Sequence, residues 1–214
     1  MSESSPYRYM AWVLVVMVPC FGLWYASGAL PAAPAFYLSK ILLEWGLPEL
    51  VNSVSLDGTR LLVVSQFGDM EDGRIVPAVQ AGYQMAFPVD TRLLSFSIPF
   101  FAALLFASRV SQPLERLSRG VLILWLLMTI GLISISLKNL MLGLGDTLYS
   151  ASTVPLPPPP VVAILYQLNT LIVPTLAPVL LWMWMARDSA LLQRIWAYYG
   201  PAATAANKQQ KEQD

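Results

Sequence analysis

Histidine is absent from the 214 residues, cysteine occurs once, and charged side chains make up only 12% of the chain. Each shortage excludes something. Without histidine the chain lacks the side chain that most often moves protons near neutral pH and that most often ligates transition metals. One cysteine forms no internal disulfide. Cys20 is flanked by Pro19 and Phe21 in an apolar stretch, with no base to activate it, so it reads as packing rather than as a nucleophile. The 13 basic and 13 acidic residues cancel, which removes any electrostatic case for nucleic acid or for an acidic substrate.

Apolar length takes the place of those groups. Hydrophobic residues are 56% of the chain and mean hydropathy is +0.57. Four stretches, 10–29, 91–108, 121–140 and 161–185, approach or exceed the roughly 20 residues that carry a helix across a bilayer. The first is longer than a signal-peptide core of roughly 7–15 residues and is preceded by one basic residue, Arg8, so it is expected to be retained. The fold class expected is membrane all-α: a four-helix transmembrane bundle.

Loop charge orients the bundle. Arg109, Arg116 and Arg119 crowd the connection 109–120, and Arg187, Arg194, Lys208 and Lys211 follow the last span, whereas 146–160 has no basic residue. Basic loops stay on the cytoplasmic side. The expected order is a cytoplasmic tail 1–9, TM1 10–29, an outer insertion 30–90, TM2 91–108, a cytoplasmic loop 109–120, TM3 121–140, an outer proline-rich loop 141–160, TM4 161–185 and a cytoplasmic tail 186–214. Both termini then lie inside a bacterial inner membrane, with the insertion in the periplasm of a Gram-negative cell. Trp24 and Tyr25 at the outer end of TM1, and Trp182 and Trp184 at the inner end of TM4, fit headgroup anchors, with Trp196, Tyr198 and Tyr199 on an amphipathic stub beyond.

Residues 30–90 have patterns of their own. In 35–45, Leu38, Ile41, Leu42 and Trp45 share one helical face and Lys40 and Glu44 stand i,i+4 on another. Gly46 ends that helix, and Pro48 suits the first turn of a second one over 48–54. Such an amphipathic helix lies on the outer leaflet or against the bundle. Next, 59–67 and 74–87 read as strands around the turn 68–73, with Val79, Ala81, Tyr83 and Met85 alternating with polar or small residues and Pro77 confining or breaking its strand. A periplasmic cap of amphipathic helices plus a β-hairpin follows. A lone hairpin is marginal in water, which points to a packing partner. Asp69, Glu71 and Asp72 in the turn are read as solvated, without the fuller spacing of a calcium loop.

Polar residues inside spans are expensive and therefore informative. Lys138 and Asn139 near the outer end of TM3, and Gln167, Asn169 and Thr170 in the outer half of TM4, share a depth that Ser95 and Ser97 could join. They read either as a snorkelling lysine with amides joining helices, or as a polar groove receiving an extended peptide or a lipid headgroup. Pro174 and Pro178 below them interrupt the helix and could shape such a groove. Ala103 with Ala107, and Gly131 with Ser134, give small faces for helix contacts. The run 155–160 is expected to be an extended spacer, and 201–214 a disordered tail. No catalytic residue, cofactor or metal site is assigned.

Trp24-Tyr25 at the end of the first span, Gly58-Thr59-Arg60-Leu61-Leu62 in the insertion, and the junction 91–108 (TRLLSFSIPFFAALLFAS) carry a resemblance. Across roughly 10–185 the order of elements resembles a small family of exosortase-associated membrane proteins, particularly those accompanying the exosortase H subtype. Exosortases are transpeptidase-like membrane enzymes that process proteins bearing a C-terminal sorting signal, using a cysteine with arginine and histidine. This chain cannot supply that set, so the resemblance implies a non-catalytic accessory subunit. The partners expected are membrane lipids, from the spans themselves, and a membrane protein, either an exosortase-like enzyme or another complex subunit. The alternative is a structural subunit of another membrane assembly, in secretion, conjugation or energy transduction.

Overall fold

The computed structural model describes residues 6–70, 72–189 and 192–193. Glu71 in the acidic turn, the aromatic stub with Trp196, Tyr198 and Tyr199, and the tail 201–214 lie outside the described residues. Among the described residues, three helices are long and apolar enough to cross a membrane: Tyr9–Ala26, Pro113–Leu144 and Pro159–Met185. The expected second span differs. It is a shorter apolar helix, Arg92–Ala107, divided into α4 (Arg92–Ser95) and α5 (Ser97–Ala107). Pro99 explains the division, because it has no N–H to give the Ser95 carbonyl one turn earlier. At 1.5 Å per residue, Arg92–Ala107 is about 24 Å long, against a hydrocarbon core of about 30 Å.

The helix α6 (Pro113–Leu144) is the axis of the molecule. α2 (Ala33–Gly46), α5, α8 (Pro159–Gln167) and α9 (Val173–Met185) all pack on it, while α1 (Pro6–Ala26) packs on α5. Small residues allow the close approaches. A Cβ on Gly120 would overlap the Phe101 ring, and one on Gly131 would sit 2.7 Å from Leu94 Cδ1. Ala103 and Ala107 are buried in α5. At about 48 Å, α6 outruns the hydrocarbon core, and its far end carries the β-structure.

α2 packs on α6. Trp125 Nε1 donates to the Pro31 carbonyl (2.8 Å), and Ser39 Oγ, bonded to Ala35 O at 2.7 Å, lies 3.5 Å from Thr129 O. The helix therefore starts beside Trp125 and runs along α6 towards its sheet end. Its orientation inverts the usual reading of an amphipathic helix. Ala35, Phe36, Ser39 and Leu43 are buried, whereas the stripe Leu38, Ile41, Leu42 and Trp45 is exposed. Ala35 and Ser39 let α2 approach α6 closely, Phe36 and Leu43 fill the core beside them, and the apolar stripe has no partner among the described residues.

The cap is two small sheets rather than one hairpin. β1 (Val51–Asp57), β2 (Arg60–Ser65) and β5 (Ala86–Asp90) form an antiparallel sheet in the order β1-β2-β5, and β3 (Phe67–Asp69) pairs with β4 (Ile75–Pro77) across the acidic turn. The helix expected over 48–54 is thus mostly strand. Asn, Ser and Val are poor helix formers there, and Gly58 at φ +57° closes a two-residue hairpin to β2. The strand expected over 74–87 is broken after Pro77 by a helical turn, α3 (Ala78–Ala81), ended by Gly82 at φ +80°. One sheet face, with Val54, Val63 and Val89, joins a core with Leu43, Leu140, Leu144 and Leu148. α7 (Asp146–Ala151) follows α6. The proline run contributes its last two residues to the first turn of α8, where a missing N–H costs nothing.

Candidate functional site

The polar residues singled out on α6 and the helix 159–185 all lie towards the sheet end, and the structure shares them among three separate contacts. Lys138, half-buried, holds its ammonium 4.8 Å from the centroid of the Tyr166 ring on α8 and 3.5 Å from Asn139 Oδ1. This is a cation–π contact between helices. Asn139 turns the other way and donates from Nδ2 to the Pro88 carbonyl on β5 (3.2 Å). Asn169 is buried and donates to Leu165 O (2.8 Å), with Ser134 Oγ of α6 at 3.4 Å; Ser134 in turn donates to Ile130 O. Thr170 Oγ1 folds back on Tyr166 O (2.7 Å), and Gln167 is exposed. Asn169 and Thr170 sit in a π-helical turn, Leu168–Ile172, just before Pro174. Because Pro174 cannot donate to the preceding turn, a wider turn there is the expected response.

Ser95 and Ser97 do not join this set. Ser95 Oγ accepts from Trp24 Nε1 (3.0 Å), tying α1 to α4, and Ser97 Oγ donates to Leu94 O. Pro174 lines, with Leu94, Ser97 and Met128, a space of only about 10 Å³. That is room for at most one water, not for a peptide or headgroup.

The contacts made by Asn139 have a counterpart across the sheet. Glu44 Oε1 on α2 accepts the Val54 N–H of β1 at 2.7 Å. Glu44 also faces Lys40, 3.7 Å away as expected at i,i+4. β1 and β5 are the two edges of the sheet, and each has a polar edge group bonded to a helix side chain. Pro88 is tolerated in β5 because its nitrogen lies on the side away from β2. The proline-rich loop is likewise tied down: Thr153 Oγ1 donates to Glu49 Oε1 (2.7 Å) and Tyr149 OH to Pro157 O (3.2 Å), beside a cavity of about 330 Å³. Glu44, Pro88, Glu49 and Tyr166 are thus parts of this region that residue types alone did not single out. Only the i,i+4 position of Glu44 and the β5 proline gave any signal.

The aromatic anchors divide. Tyr25 and Trp184 are exposed, and the Arg92 guanidinium lies 4.7 Å from the Tyr25 ring centroid. Trp182, expected at the lipid interface, is instead buried. It stacks on Tyr9 with 5.9 Å between centroids and donates from Nε1 to Ser108 Oγ (2.6 Å). A ring with one polar edge can be buried when that edge finds an acceptor, which Ser108 supplies. Trp24, bonded to Ser95, is half-buried for the same reason.

Among the described residues, no three of His, Cys, Asp and Glu come together as metal ligands. A search of curated proteins finds no match to this chain, and a search of solved structures finds none either. A family model does match, over residues 3–189, which contain every span, the insertion and the sheet described above, and the chain belongs to the family of exosortase H-associated membrane proteins.

Proposed function

We propose that this chain is a non-catalytic accessory subunit of an exosortase-type protein-sorting system in a bacterial inner membrane. The family supports the association, and the side-chain chemistry supports the absence of catalysis. The chain has no histidine. Its one cysteine lies inside α1, and its one lysine near the polar set is engaged with Tyr166 and Asn139. In this reading the sheet end is periplasmic, the arginine-rich end is cytoplasmic, and the helix Arg92–Ala107 counts as the fourth crossing despite its length.

The observation that carries the partner-binding part is the bareness of α1. Only 6% of Tyr9–Ala26 is buried, against 50% of the apolar window in α6. Leu14, Val15, Val18 and Leu23 stand exposed along it, and the stripe Leu38, Ile41, Leu42 of α2 is exposed as well. We assign the partner's transmembrane helices to these faces. Strand addition to the sheet is the less favoured mode, since helix side chains already occupy groups on both edges.

Photo-crosslinking residues introduced at Leu14, Val18 and Ile41 test this in the native membrane. They should capture the exosortase, while the same residue at Leu176 or Leu180 on α9 should not. Labelling by none of the α1 and α2 positions, or equal labelling from α9, would remove the assignment. Sorting should survive Cys20→Ser at normal protein level; its loss would overturn the non-catalytic reading.

A further inference from the structure

We infer that the arginine end of the bundle holds a binding site for the phosphate of an anionic glycerophospholipid. A cavity of about 350 Å³ opens there between the first turns of α6 and the end of α9, with Arg116, Arg119, Arg187, Glu115, Asp188 and Trp184 on its walls. Its volume falls within the range of small-ligand sites.

The charges do not cancel. Arg119 pairs with Glu115 one turn away. Arg116 and Arg187 share a single carboxylate, Asp188, at 3.3 and 3.8 Å. Among the described residues lining the cavity, three guanidinium groups thus face two carboxylates, an excess of one positive charge that matches one phosphodiester. Arg116 is fixed: its side chain is only 20% exposed and also donates to Ser111 Oγ (3.2 Å) and to the Met185 carbonyl. Arg119 and Arg187 are 69% and 71% exposed, so their forks can turn to a ligand without breaking the packing. Paired N–H groups on a planar guanidinium fit two phosphate oxygens at once.

A lipid is favoured over a free phosphate by what surrounds the charges. Trp184 is 59% exposed beside them, and Leu176, Leu180 and Met183 leave an exposed apolar surface on the same helix. An indole with its polar edge at a membrane surface suits the glycerol region, with acyl chains continuing along α9. The site rests on the arginine end alone and is independent of the exosortase partner.

The experiment uses the full chain, delipidated in mild detergent and titrated separately with phosphatidylglycerol, phosphatidylcholine of the same chain length, and inorganic phosphate. Binding is read by native mass spectrometry. Phosphatidylglycerol should bind at one copy per chain, about tenfold more tightly than phosphatidylcholine, and Arg119→Gln/Arg187→Gln should remove that tenfold preference. Arg60→Gln, at the sheet end, should leave it intact. Trp184→Leu should weaken the lipid while sparing the fold, and serves if the double variant unfolds. Equal binding of the two lipids, or a preference unchanged in these variants, would overturn the site. Inorganic phosphate binding that is lost in the double variant, without lipid preference, would overturn the lipid as occupant.

Discussion

The Glu44 carboxylate on α2 accepts the Val54 N–H on the free edge of β1 at 2.7 Å, and Asn139 on α6 mirrors it by donating to Pro88 O on the edge of β5. Exposed strand edges recruit other strands, and proteins block them with charges, prolines or covering elements. Here two helices that pack along each other reach up and occupy groups on both sides of the sheet. The sheet is therefore welded to the bundle as well as protected by it. Truncating either side chain leaves an edge group unpaired.

Glu44→Ala and Asn139→Ala should each destabilise the protein by about 1 kcal/mol, the net value of one partly exposed hydrogen bond. Amide hydrogen exchange at Val54 should rise in Glu44→Ala and stay unchanged in Asn139→Ala. Identical exchange of Val54 in both variants would remove the edge-blocking role of Glu44.

The glycines separate packing from mere helix weakness. Gly120 and Gly143 each lie under an aromatic ring, Phe101 and Phe87. Alanine there should cost about 1–3 kcal/mol, the usual penalty of overpacking. Gly131→Ala should cost less, since the end of the flexible Leu94 side chain is what must move. Gly22 on α1 has nothing within 4 Å, so Gly22→Ala should be neutral or stabilising by up to about 1 kcal/mol, from helix propensity alone. Thermal denaturation in one detergent ranks the four; Gly22→Ala as the worst of them would contradict the packing described.

Lys138 and Tyr166 should be energetically coupled. A double-mutant cycle with Lys138→Met and Tyr166→Leu is expected to give about 0.5–2 kcal/mol, the range for a cation over a ring from exposed to desolvated settings. Lys138→Arg should keep much of it. A coupling of zero would mean that the lysine merely snorkels past the ring.

Much of this arrangement was legible in the sequence, and the failures have particular causes. The apolar runs gave α1, α6 and the helix 159–185 directly, and the family resemblance is borne out by the match to residues 3–189. The start of β1 was misread because Pro48, which suits the first turn of a helix, opens only a short turn before the strand Val51–Asp57, where Val, Asn and Ser are poor helix formers. The alternation from Val79 to Met85 misled in the opposite direction: Val79 is 96% exposed in a helical turn. The stripe on α2 was legible, but its direction was not: the opposite face, with Ala35, Phe36, Ser39 and Leu43, is the one that packs. The polar residues of α6 and of the helix 159–185 were picked out by an expected common depth. Depth says nothing of direction, however, and Lys138, Asn139 and Asn169 reach three different neighbours.

Orientation is the remaining prediction, and the structure divides it into two questions. Residue 75 lies in the smaller sheet and residue 152 in the loop that Thr153 ties to Glu49, both at the end of α6 where Leu144 terminates. Residue 114 lies at the opposite end, in the first turn of α6, beside Arg116 and Arg119. Reporter fusions at 75 and 152 must therefore agree with each other and differ from one at 114, whichever way the bundle is inserted. Charge then chooses the direction. Arg109, Arg116, Arg119 and Arg187 gather at the 114 end, whereas 146–160 has no basic residue. Cytoplasmic retention of basic loops makes 114 inside, with 75 and 152 outside. A fusion at 206, beyond the described residues, should read with 114. Disagreement between 75 and 152 would contradict the fold, whereas agreement with the sign reversed would leave the fold standing and invert the orientation proposed for it.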